Sequence, residues 1–197
     1  MSPNAYILGF YDLATEVFMS RIQCRNARNS DLVDLFNSVF TASEGADEGA
    51  TIAQFVDRML ERTDAHDLRI FASWDRSDLV GAALFSRLTY SEDSRSVMIL
   101  SPMAVSTPRQ GEGIGQSLIR HALEDLAREG VDVVLTYGDP NFYGKLGFAS
   151  LSMTQARAPM PLSYPDGWIG QSISQAPFEP LKGACVCVPA LNDPALW

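Results

Sequence analysis

The chain has 197 residues, of which 46% are hydrophobic and 20% are charged, a composition that predicts a soluble globular protein with a proper core. Its net charge of −9 repels nucleic-acid phosphates and anionic lipids, so neither is an expected partner. No apolar run reaches the length of a membrane span, and residues 1–20 lack the basic start of a signal peptide. These features together predict a cytoplasmic location.

The three cysteines, Cys24, Cys185 and Cys187, do not predict a disulfide framework, because their number is odd and Cys24 lies far from the others. Cys185 and Cys187 alternate within a strand-like segment and are expected to point to one face of it. The two histidines, His66 and His121, lack metal-ligand spacing. We therefore expect no metal site.

The N-terminal residues predict an extension followed by a domain. Residues 4–19 place apolar side chains at roughly helical spacing, so residues 1–19 are expected to add a helix. That helix would either pack on the domain or mediate a dimer contact. A single domain is predicted over residues 20–197, starting with a short strand at 21–25.

Two amphipathic segments predict the first helices of the domain. One begins at Ser30-Asp31 and the other at Thr51, each with apolar residues on one face. Residues 41–49 between them contain Ser, Glu, Gly and Asp, and they are predicted to form a loop.

A hairpin and a central strand are predicted next. Residues 68–74 and 79–88 read as strands around the turn-forming residues 75–78. Residues 97–105 are apolar at both alternating sets of positions, as in a strand covered on both faces. Pro102 cannot donate to a strand ladder, so it predicts a bulge or a parting of neighbouring strands.

The glycine-rich segment Gln110-Gly111-Glu112-Gly113-Ile114-Gly115 follows that strand and precedes an amphipathic helix over residues 116–128. Its glycines let backbone N–H groups approach a ligand, and the helix start adds unpaired N–H donors at the positive end of the helix dipole. Together these features predict a phosphate-binding site. The alternative is a tight turn that only connects the strand and the helix.

Two familiar phosphate-binding loops fit this segment poorly. A Walker-type loop ends in Gly-Lys-Ser/Thr, whereas Gly115 is followed by Gln116 and Ser117, which leaves no lysine for the phosphates. The dinucleotide fingerprint needs a third glycine where Gln116 stands. An NTPase and a nicotinamide enzyme are therefore disfavoured.

A second motif follows a buried strand predicted over residues 131–137. Asp139 suits the N-cap of a short helix over residues 141–146, Pro140 suits its first position, and Gly147 suits its end. The remaining predicted elements are a proline-containing loop over residues 155–168 and strands over residues 169–174 and 184–188.

The spacing of Gln110, Gly113 and Gly115 resembles the acyl-CoA loop of the GCN5-related N-acetyltransferase (GNAT) family. The segment 102–105 resembles that family's central strand. The segment 139–148, an aromatic pair before Lys-Leu-Gly-Phe, resembles its second hallmark. The resemblance covers residues 20–190, is strongest over 97–148, and is closest to the YhbS-type branch.

This resemblance implies an α/β fold with a mixed, twisted sheet of about six to seven strands, helices on both faces, and a splay at the central strand. It implies an acetyltransferase that moves an acetyl group from acetyl-CoA to a primary amine by direct attack. The acceptor stays open between a small amine, a peptide N-terminus and a lysine side chain. Transfer of a longer acyl group, a nucleotide enzyme and a homodimer also stay open.

The resemblance also implies site residues. Tyr143 matches an aromatic position that faces the CoA sulfur, and it is the predicted general acid for the departing thiolate, with a packing role as the alternative. The backbones of Met103 and Val105 would bond the amides of the cofactor. The residues implied to bind acetyl-CoA are Met103, Ala104, Val105, Gln110, Gly111, Glu112, Gly113, Ile114, Gly115, Gln116, Ser117 and Asn141.

The general base is not assigned. Some family members carry a glutamate on the central strand, but residues 98–100 are apolar here. Glu92, Asp93, Glu44 or bulk solvent could take the proton. The missing glutamate keeps an alternative function open, a CoA-binding sensor or interaction protein without turnover.

Overall fold

The computed structural model describes residues 22–24 and 27–197, and the predicted N-terminal helix lies outside them. The strands are β1 (Ile22–Cys24), β2 (Leu68–Asp75), β3 (Asp78–Tyr90), β4 (Val97–Val105), β5 (Val133–Tyr137), β6 (Ala149–Ser150), β7 (Trp168–Ser172) and β8 (Cys185–Cys187). The α-helices are α1 (Asn29–Glu44), α2 (Ala46–Arg62), α3 (Ile114–Arg128) and α4 (Pro140–Tyr143).

The strands form one mixed sheet. Across the described residues its order is β1–β2–β3–β4–β5–β7–β6, and β8 pairs with β3 outside this path. β4 and β5 are parallel, whereas the other pairs are antiparallel. The predicted α/β class with about six to seven strands is therefore confirmed for the seven strands of the path, with β8 as an additional short strand.

Helices cover both faces of the sheet, and each face has its own apolar cluster. On the first face, α1 and α2 bury Leu32, Phe36, Phe55, Val56 and Met59 against the sheet. On the second face, α3 buries Leu118, Ile119, Ala122 and Leu126. Complete burial of a Leu, Ile, Phe or Met side chain contributes about 2 kcal/mol, so these two layers supply much of the driving force for folding.

The predicted loop over residues 41–49 is wrong. α1 continues to Glu44, α2 starts at Ala46, and only Gly45, with φ of 103°, separates them. Gly49 serves a close helix contact, because a β-carbon there would lie 2.0 Å from Thr41 Oγ1 and 2.8 Å from the Asn37 carbonyl oxygen. The small and polar residues of this segment therefore bring two helices together.

β4 contains a bulge at the predicted position. Leu100 pairs with Phe85 but Met103 pairs with Ala83, so β4 has one residue more than β3 between these pairs. The extra residue lies at the Ser101-Pro102 segment. As a result, Leu100 and Met103 both pack on the second face although three residue steps separate them.

The predicted parting of the sheet is also present. β4 and β5 are paired only from Val97 with Val133 to Leu100 with Thr136. Beyond that point β5 continues to pair with β7 through Tyr137, while residues 101–105 of β4 have no described strand beside them on the β5 side. A gap therefore opens between β4 and β5 towards the glycine loop.

The two C-terminal cysteines share one face of β8, as predicted. Cys185 and Cys187 pack against the first-face cluster, and Val186 between them is 62% exposed. Burial raises the pKa of the Cys185 thiol to about 11, with the neighbouring Tyr90 hydroxyl opposing the rise. These thiols are therefore protonated at neutral pH and act as packing groups.

Candidate active site

The glycine loop takes the shape that its sequence predicts. Gly111 and Gly113 have φ angles of 81° and 82°, a region that other L-residues rarely adopt. Gly113 is the N-cap of α3, and its carbonyl accepts the first helical hydrogen bond, from Ser117 N–H at 3.0 Å. The chain therefore turns from β4 into α3 within a few residues.

Arg109 holds the loop against the sheet. Its guanidinium donates to Glu112 Oε2 at 2.8 Å and to Asp75 Oδ2, at the end of β2, also at 2.8 Å. The two carboxylates, through these hydrogen bonds, raise the pKa of Arg109. Glu112 thus has a structural partner inside the loop, and the charge of Arg109 is balanced by two acids.

Gly115 brings the start of α3 close to β4 and α4. A β-carbon at this position would lie 3.3 Å from Val105 Cγ2 and 3.4 Å from both Met103 Cε and Phe142 Cζ. The N–H groups of Ile114, Gly115 and Gln116 precede the first helical hydrogen bond, so the helix does not satisfy them. They form a set of donors at the positive end of α3.

The free edge of β4 presents its own donors and acceptors to the gap. Ser106 N–H donates to Val80 O at 2.9 Å, so Ser106 faces β3. Backbone groups alternate along a strand, which turns those of Val105 and Met103 away from β3 and into the gap. The Val105 carbonyl already accepts from Gln110 Nε2 at 3.1 Å, and its N–H is turned to the same side.

These features meet in one cavity of about 550 Å³. It lies between the end of α1, the free edge of β4, the glycine loop and α4. The predicted residues among its lining are Met103, Ala104, Val105, Gln110, Gly111, Gly113, Ile114, Gly115 and Gln116. Nine of the fourteen lining residues therefore come from two local segments that the sequence indicated, residues 103–105 and 110–116.

The lining also contains Val39, Phe40, Arg109, Phe142 and Lys145, which were not predicted to bind a ligand. Within the described residues, no carboxylate forms an ion pair with Lys145. Its place in the Lys-Leu-Gly-Phe motif was the sequence signal for this residue. The apolar periodicity of α1 predicts a buried face, but it does not predict that Val39 and Phe40 lie at the cavity.

Four predicted residues are not part of the described lining: Glu112, Ser117, Asn141 and Tyr143. The backbone N–H of Ser117 is used within α3. The side chain of Asn141 is exposed, and its Nδ2 donates to Asp139 Oδ1 at 2.9 Å, next to the helix cap that Asp139 also forms. The observed partner of Asn141 is therefore the N-terminal turn of α4.

Tyr143 lies beside the cavity, at the inner end of the gap. Its ring makes edge contacts with Phe142 and Phe148, at centroid distances of 5.0 and 5.4 Å. Burial raises the pKa of the phenol to about 12, and the Thr136 hydroxyl, which can hydrogen-bond to it, opposes the rise. The Tyr143 ring also lies against Gly138, directly after β5, and Thr136 forms the last pair of β5 with β4, so the ring lies near the point where the strands part.

Two candidate bases lie beyond the N-terminal end of β4, whereas the cavity lies at the C-terminal end of that strand. Glu92 and Asp93 precede this strand, and its nine residues span roughly 26 Å at about 3.3 Å per residue. Asp93 is bonded to Arg95 at 2.6 and 2.9 Å and to Lys182 N–H at 3.1 Å, and the Arg95 guanidinium holds its pKa well below the usual range. Glu44 ends α1, one helical turn beyond Phe40.

Neither a metal cluster nor a membrane helix is seen in the part of the chain that the structure describes. No group of three or more His, Cys, Asp or Glu side chains there is placed to hold a metal ion. No helix there is long and apolar enough to cross a bilayer.

Comparison with known families places this geometry in a class. The model of the acetyltransferase (GNAT) family matches residues 29–148, more than half of the chain. The protein therefore belongs to the GNAT family of acetyltransferases. This membership confirms the predicted family and enzyme class, an acyl-CoA-dependent N-acetyltransferase.

Individual relatives agree with this assignment. YjhQ of Escherichia coli K12, an uncharacterised N-acetyltransferase, is 29% identical over 154 residues, which span 76% of this chain and 81% of YjhQ. YhbS from the same strain, also an uncharacterised N-acetyltransferase, is 29% identical over 91 residues, 42% of this chain and 54% of YhbS. These matches confirm the resemblance to the YhbS-type branch.

Solved structures share the fold. The crystal structure of E. coli YhbS in complex with CoA has a TM-score of 0.72 at 19% identity, covering 88% of this chain and 93% of that one. A GNAT acetyltransferase from Brucella melitensis in complex with acetyl-CoA has a TM-score of 0.67 at 20% identity, covering 87% of this chain and 98% of that one.

Proposed function

We propose that this protein transfers the acetyl group of acetyl-CoA to a primary amine by direct attack within a ternary complex. The observation that carries the proposal is the cavity in which a helix N-terminus meets a strand edge that no described strand pairs. The first suits phosphates, and the second suits the amides of the pantetheine arm. Two solved relatives with this fold were crystallised with CoA or acetyl-CoA.

Backbone groups supply most of the cofactor contacts in this proposal. The N–H groups of Ile114, Gly115 and Gln116 receive the pyrophosphate at the start of α3. The backbone groups of Met103 and the N–H of Val105 pair with the amides of the arm. Lys145 adds a positive charge at the same cavity, which matters because the protein as a whole carries a net charge of −9.

The remaining predicted residues shape the loop or stay predictions. Gln110 closes the loop onto the Val105 carbonyl, and Glu112 holds Arg109. These contacts support a role for Gln110 and Glu112 in which each residue helps binding by holding the shape of the glycine loop. Direct contacts of Ser117 and Asn141 with the cofactor stay predictions, and both residues have other hydrogen-bond partners in the structure.

Tyr143 stabilises the departing sulfur in this proposal. Its pKa of about 12 keeps the phenol protonated at neutral pH. That pKa is well above the ordinary pKa of a thiol, about 8.5, so complete proton transfer to the thiolate is uphill. The phenol therefore acts mainly by donating a hydrogen bond to sulfur as negative charge develops there.

The amine loses its proton to water or to Glu44. β4 contains no Asp or Glu between residues 97 and 105, so no carboxylate projects from the strand beside the gap. Among Glu44, Glu92 and Asp93, Glu44 is the one carried by an element that lines the cavity, one helical turn beyond Phe40 on α1. An attack on a thioester by an already neutral amine needs no covalent enzyme intermediate.

The absence of a carboxylate on β4 also favours a second function, a CoA-binding sensor or interaction protein. One experiment separates the two. Binding of acetyl-CoA, CoA, NAD and ATP is measured by calorimetry, and thiol release from acetyl-CoA is followed with a panel of amines. Acetyl-CoA binding with amine-dependent thiol release supports the transferase, and binding without release supports the sensor. A protein that binds neither CoA species contradicts both.

A further inference from the structure

A second cavity, of about 280 Å³, lies between the end of α2 and the C-terminal segment of the chain. Arg58 and Arg62, one helical turn apart on α2, form one wall, so both side chains border the same space. The opposite wall contains Pro189, Ala190, Asn192, Asp193 and Pro194. This cavity shares no lining residue with the cavity at the glycine loop.

The two arginines of this cavity have no acid partner among the described residues. Other arginines in that part of the chain form ion pairs with carboxylates, namely Arg28, Arg69, Arg87, Arg95, Arg109 and Arg128. Neither Arg58 nor Arg62 has an ion pair or a side-chain hydrogen bond there, although the chain carries 24 acidic residues.

This lack of partners leaves donors to be satisfied. Arg58 is half-buried, so its guanidinium is partly removed from water without a compensating bond. The negative end of the α2 dipole attracts Arg62 in the last turn, but it gives the guanidinium donors no partner. An anion bound in the cavity would supply both the hydrogen bonds and the opposite charge.

The opposite wall is held in a fixed shape. It is built on two single-turn 3-10 helices, Pro189–Leu191 and Pro194–Leu196, whose first residues fix the backbone angle φ. The carbonyl of Leu191 accepts a hydrogen bond from the indole N–H of the buried Trp197 at 2.9 Å. Asn192 lies between the two turns and adds an amide that can donate to an anion. A ligand would therefore meet a wall that is already ordered.

Two neighbouring guanidinium groups match a phosphate group better than a carboxylate. One guanidinium fork already satisfies both oxygens of a carboxylate. A phosphate monoester has three free oxygens and nearly two negative charges, so it can engage two forks at once. The volume of about 280 Å³ is at the lower end of the range for small-molecule pockets, which favours a small ligand over a nucleotide.

We propose that Arg58 and Arg62 bind a phosphate group, free or in a small monoester, against the wall that contains Asn192. Asp193 lines the same cavity, and its Oδ1 accepts from Ala195 N–H at 3.1 Å. Its negative charge opposes an incoming anion, so we expect binding in the millimolar range. The site is separate from the acetyl-CoA cavity, and the inference does not depend on the proposed acetyl transfer.

The test follows the Nε–H signals of Arg58 and Arg62 by NMR in the 15N-labelled protein. Both signals should shift saturably with inorganic phosphate or glycerol 3-phosphate, and the ratio of the two Kd values shows whether the free ion or the ester is preferred. Sodium acetate and sodium chloride at equal ionic strength should cause little shift. Because the signals belong to the two arginines, phosphate bound at the glycine loop does not contribute to the readout.

Three kinds of variant make the assignment specific. Arg58→Met and Arg62→Met keep an apolar stem but remove the donors, and each should raise the Kd of phosphate about tenfold, measured at the remaining arginine. Asp193→Asn keeps an acceptor for Ala195 N–H but removes the charge, and it should lower the Kd about threefold. Arg157→Met, at an exposed arginine outside this cavity, is the control and should leave the Kd unchanged.

The inference is overturned by any of three results. The arginine signals do not shift with either phosphate compound. They shift equally with acetate or chloride, which would indicate charge screening alone. The Kd of phosphate is the same in Arg58→Met and Arg62→Met as in the wild-type protein. The titration of the wild-type protein and of Asp193→Asn decides the matter even where an arginine variant fails to fold.

Discussion

The ring of Tyr143 lies directly against Gly138, where any side chain would collide with Cε2 at 2.7 Å. Gly138→Ala should therefore displace the ring and lower kcat about tenfold or more, with a loss of stability of about 1–3 kcal/mol from overpacking. Steady-state kinetics and urea unfolding measure both effects. Gly144→Ala is the matched control, because Gly144 has helical φ of −58° and no atom lies within 4 Å of a β-carbon added there. Equal kinetics in the two variants would show that the ring position is unimportant.

Removal of the Tyr143 hydroxyl tests its role directly. Tyr143→Phe keeps the aromatic contacts with Phe142 and Phe148 but removes the hydrogen-bond donor. We expect kcat to fall about 100-fold while the Kd of CoA stays the same, because the hydrogen bond strengthens only as charge develops on sulfur. Calorimetry and thiol-release kinetics give the two values. Full activity would leave Tyr143 with a packing role alone.

The glycine loop can be tested with a pair of substitutions of equal backbone strain. Gly113 and Gly130 have φ angles of 82° and 85°, and neither has an atom within 4 Å of an added β-carbon. Alanine at either position should cost about 1–2 kcal/mol in stability. Only Gly113→Ala should also weaken CoA binding, by about tenfold, because Gly113 orients the first N–H groups of α3. Equal CoA affinities in the two variants would argue against the helix N-terminus as the phosphate site.

Lys145 provides a test of charge at the cavity. The chain contains only two lysines, and Lys182 lies at the opposite end of the sheet, near Asp93. Lys145→Met should raise the Kd of CoA about fivefold to tenfold and make binding less sensitive to salt, since one charge pair is lost. Lys182→Met should change neither property. Calorimetry with CoA, dephospho-CoA and pantetheine at low and high salt identifies the phosphate that Lys145 contacts. The difference in Kd between the wild-type protein and Lys145→Met disappears for a compound that lacks this phosphate.

The Asp93–Arg95 pair predicts a pH-dependent loss of stability. The pKa of Asp93 is lower in the folded protein than its ordinary value near 3.9, so its contribution is present above that value and is lost as the pH falls through the folded pKa. Asp93→Asn should cost about 2 kcal/mol at pH 7, or roughly 5 °C in Tm, and much less in strong acid. Asp57→Asn on the exposed side of α2 is the control. If the difference in Tm between the wild-type protein and Asp93→Asn stays the same as the pH falls, the stabilising role of the Asp93–Arg95 pair is contradicted.

The parts of the site that were predicted from sequence are local in the chain. The turn at Gly111 and Gly113, the bulge at Pro102 and the cap at Asp139 each depend on residues a few positions apart, and residue type alone indicates them. The binding residues themselves are still untested. Most residues that line the cavity nevertheless come from segments that are close together in the sequence, which is why local patterns could indicate them.

The missed features depend on distant contacts. Arg109 meets Asp75 across 34 residues, and Tyr137 meets Tyr164 across 27, and neither pair has a sequence pattern. The predicted loop at residues 41–49 failed for a related reason. Gly49 reads as a loop residue, but its lack of a side chain allows α2 to contact Thr41 of α1, and composition does not distinguish these two uses of glycine.

The extra residue of β4 sets the direction in which half of that strand faces. With the first half of β4 held by β5, deletion of one residue near Pro102 would invert the alternation of everything that follows. Ala104 would then turn its amide to the gap, while Met103 and Val105 would turn theirs to β3. The number of residues in this short segment is therefore constrained, independently of which residues they are. Surface loops accept insertions and deletions. In this segment, a change of one residue would turn the backbone groups that now line the cavity towards β3, and would turn those that now face β3 into the cavity.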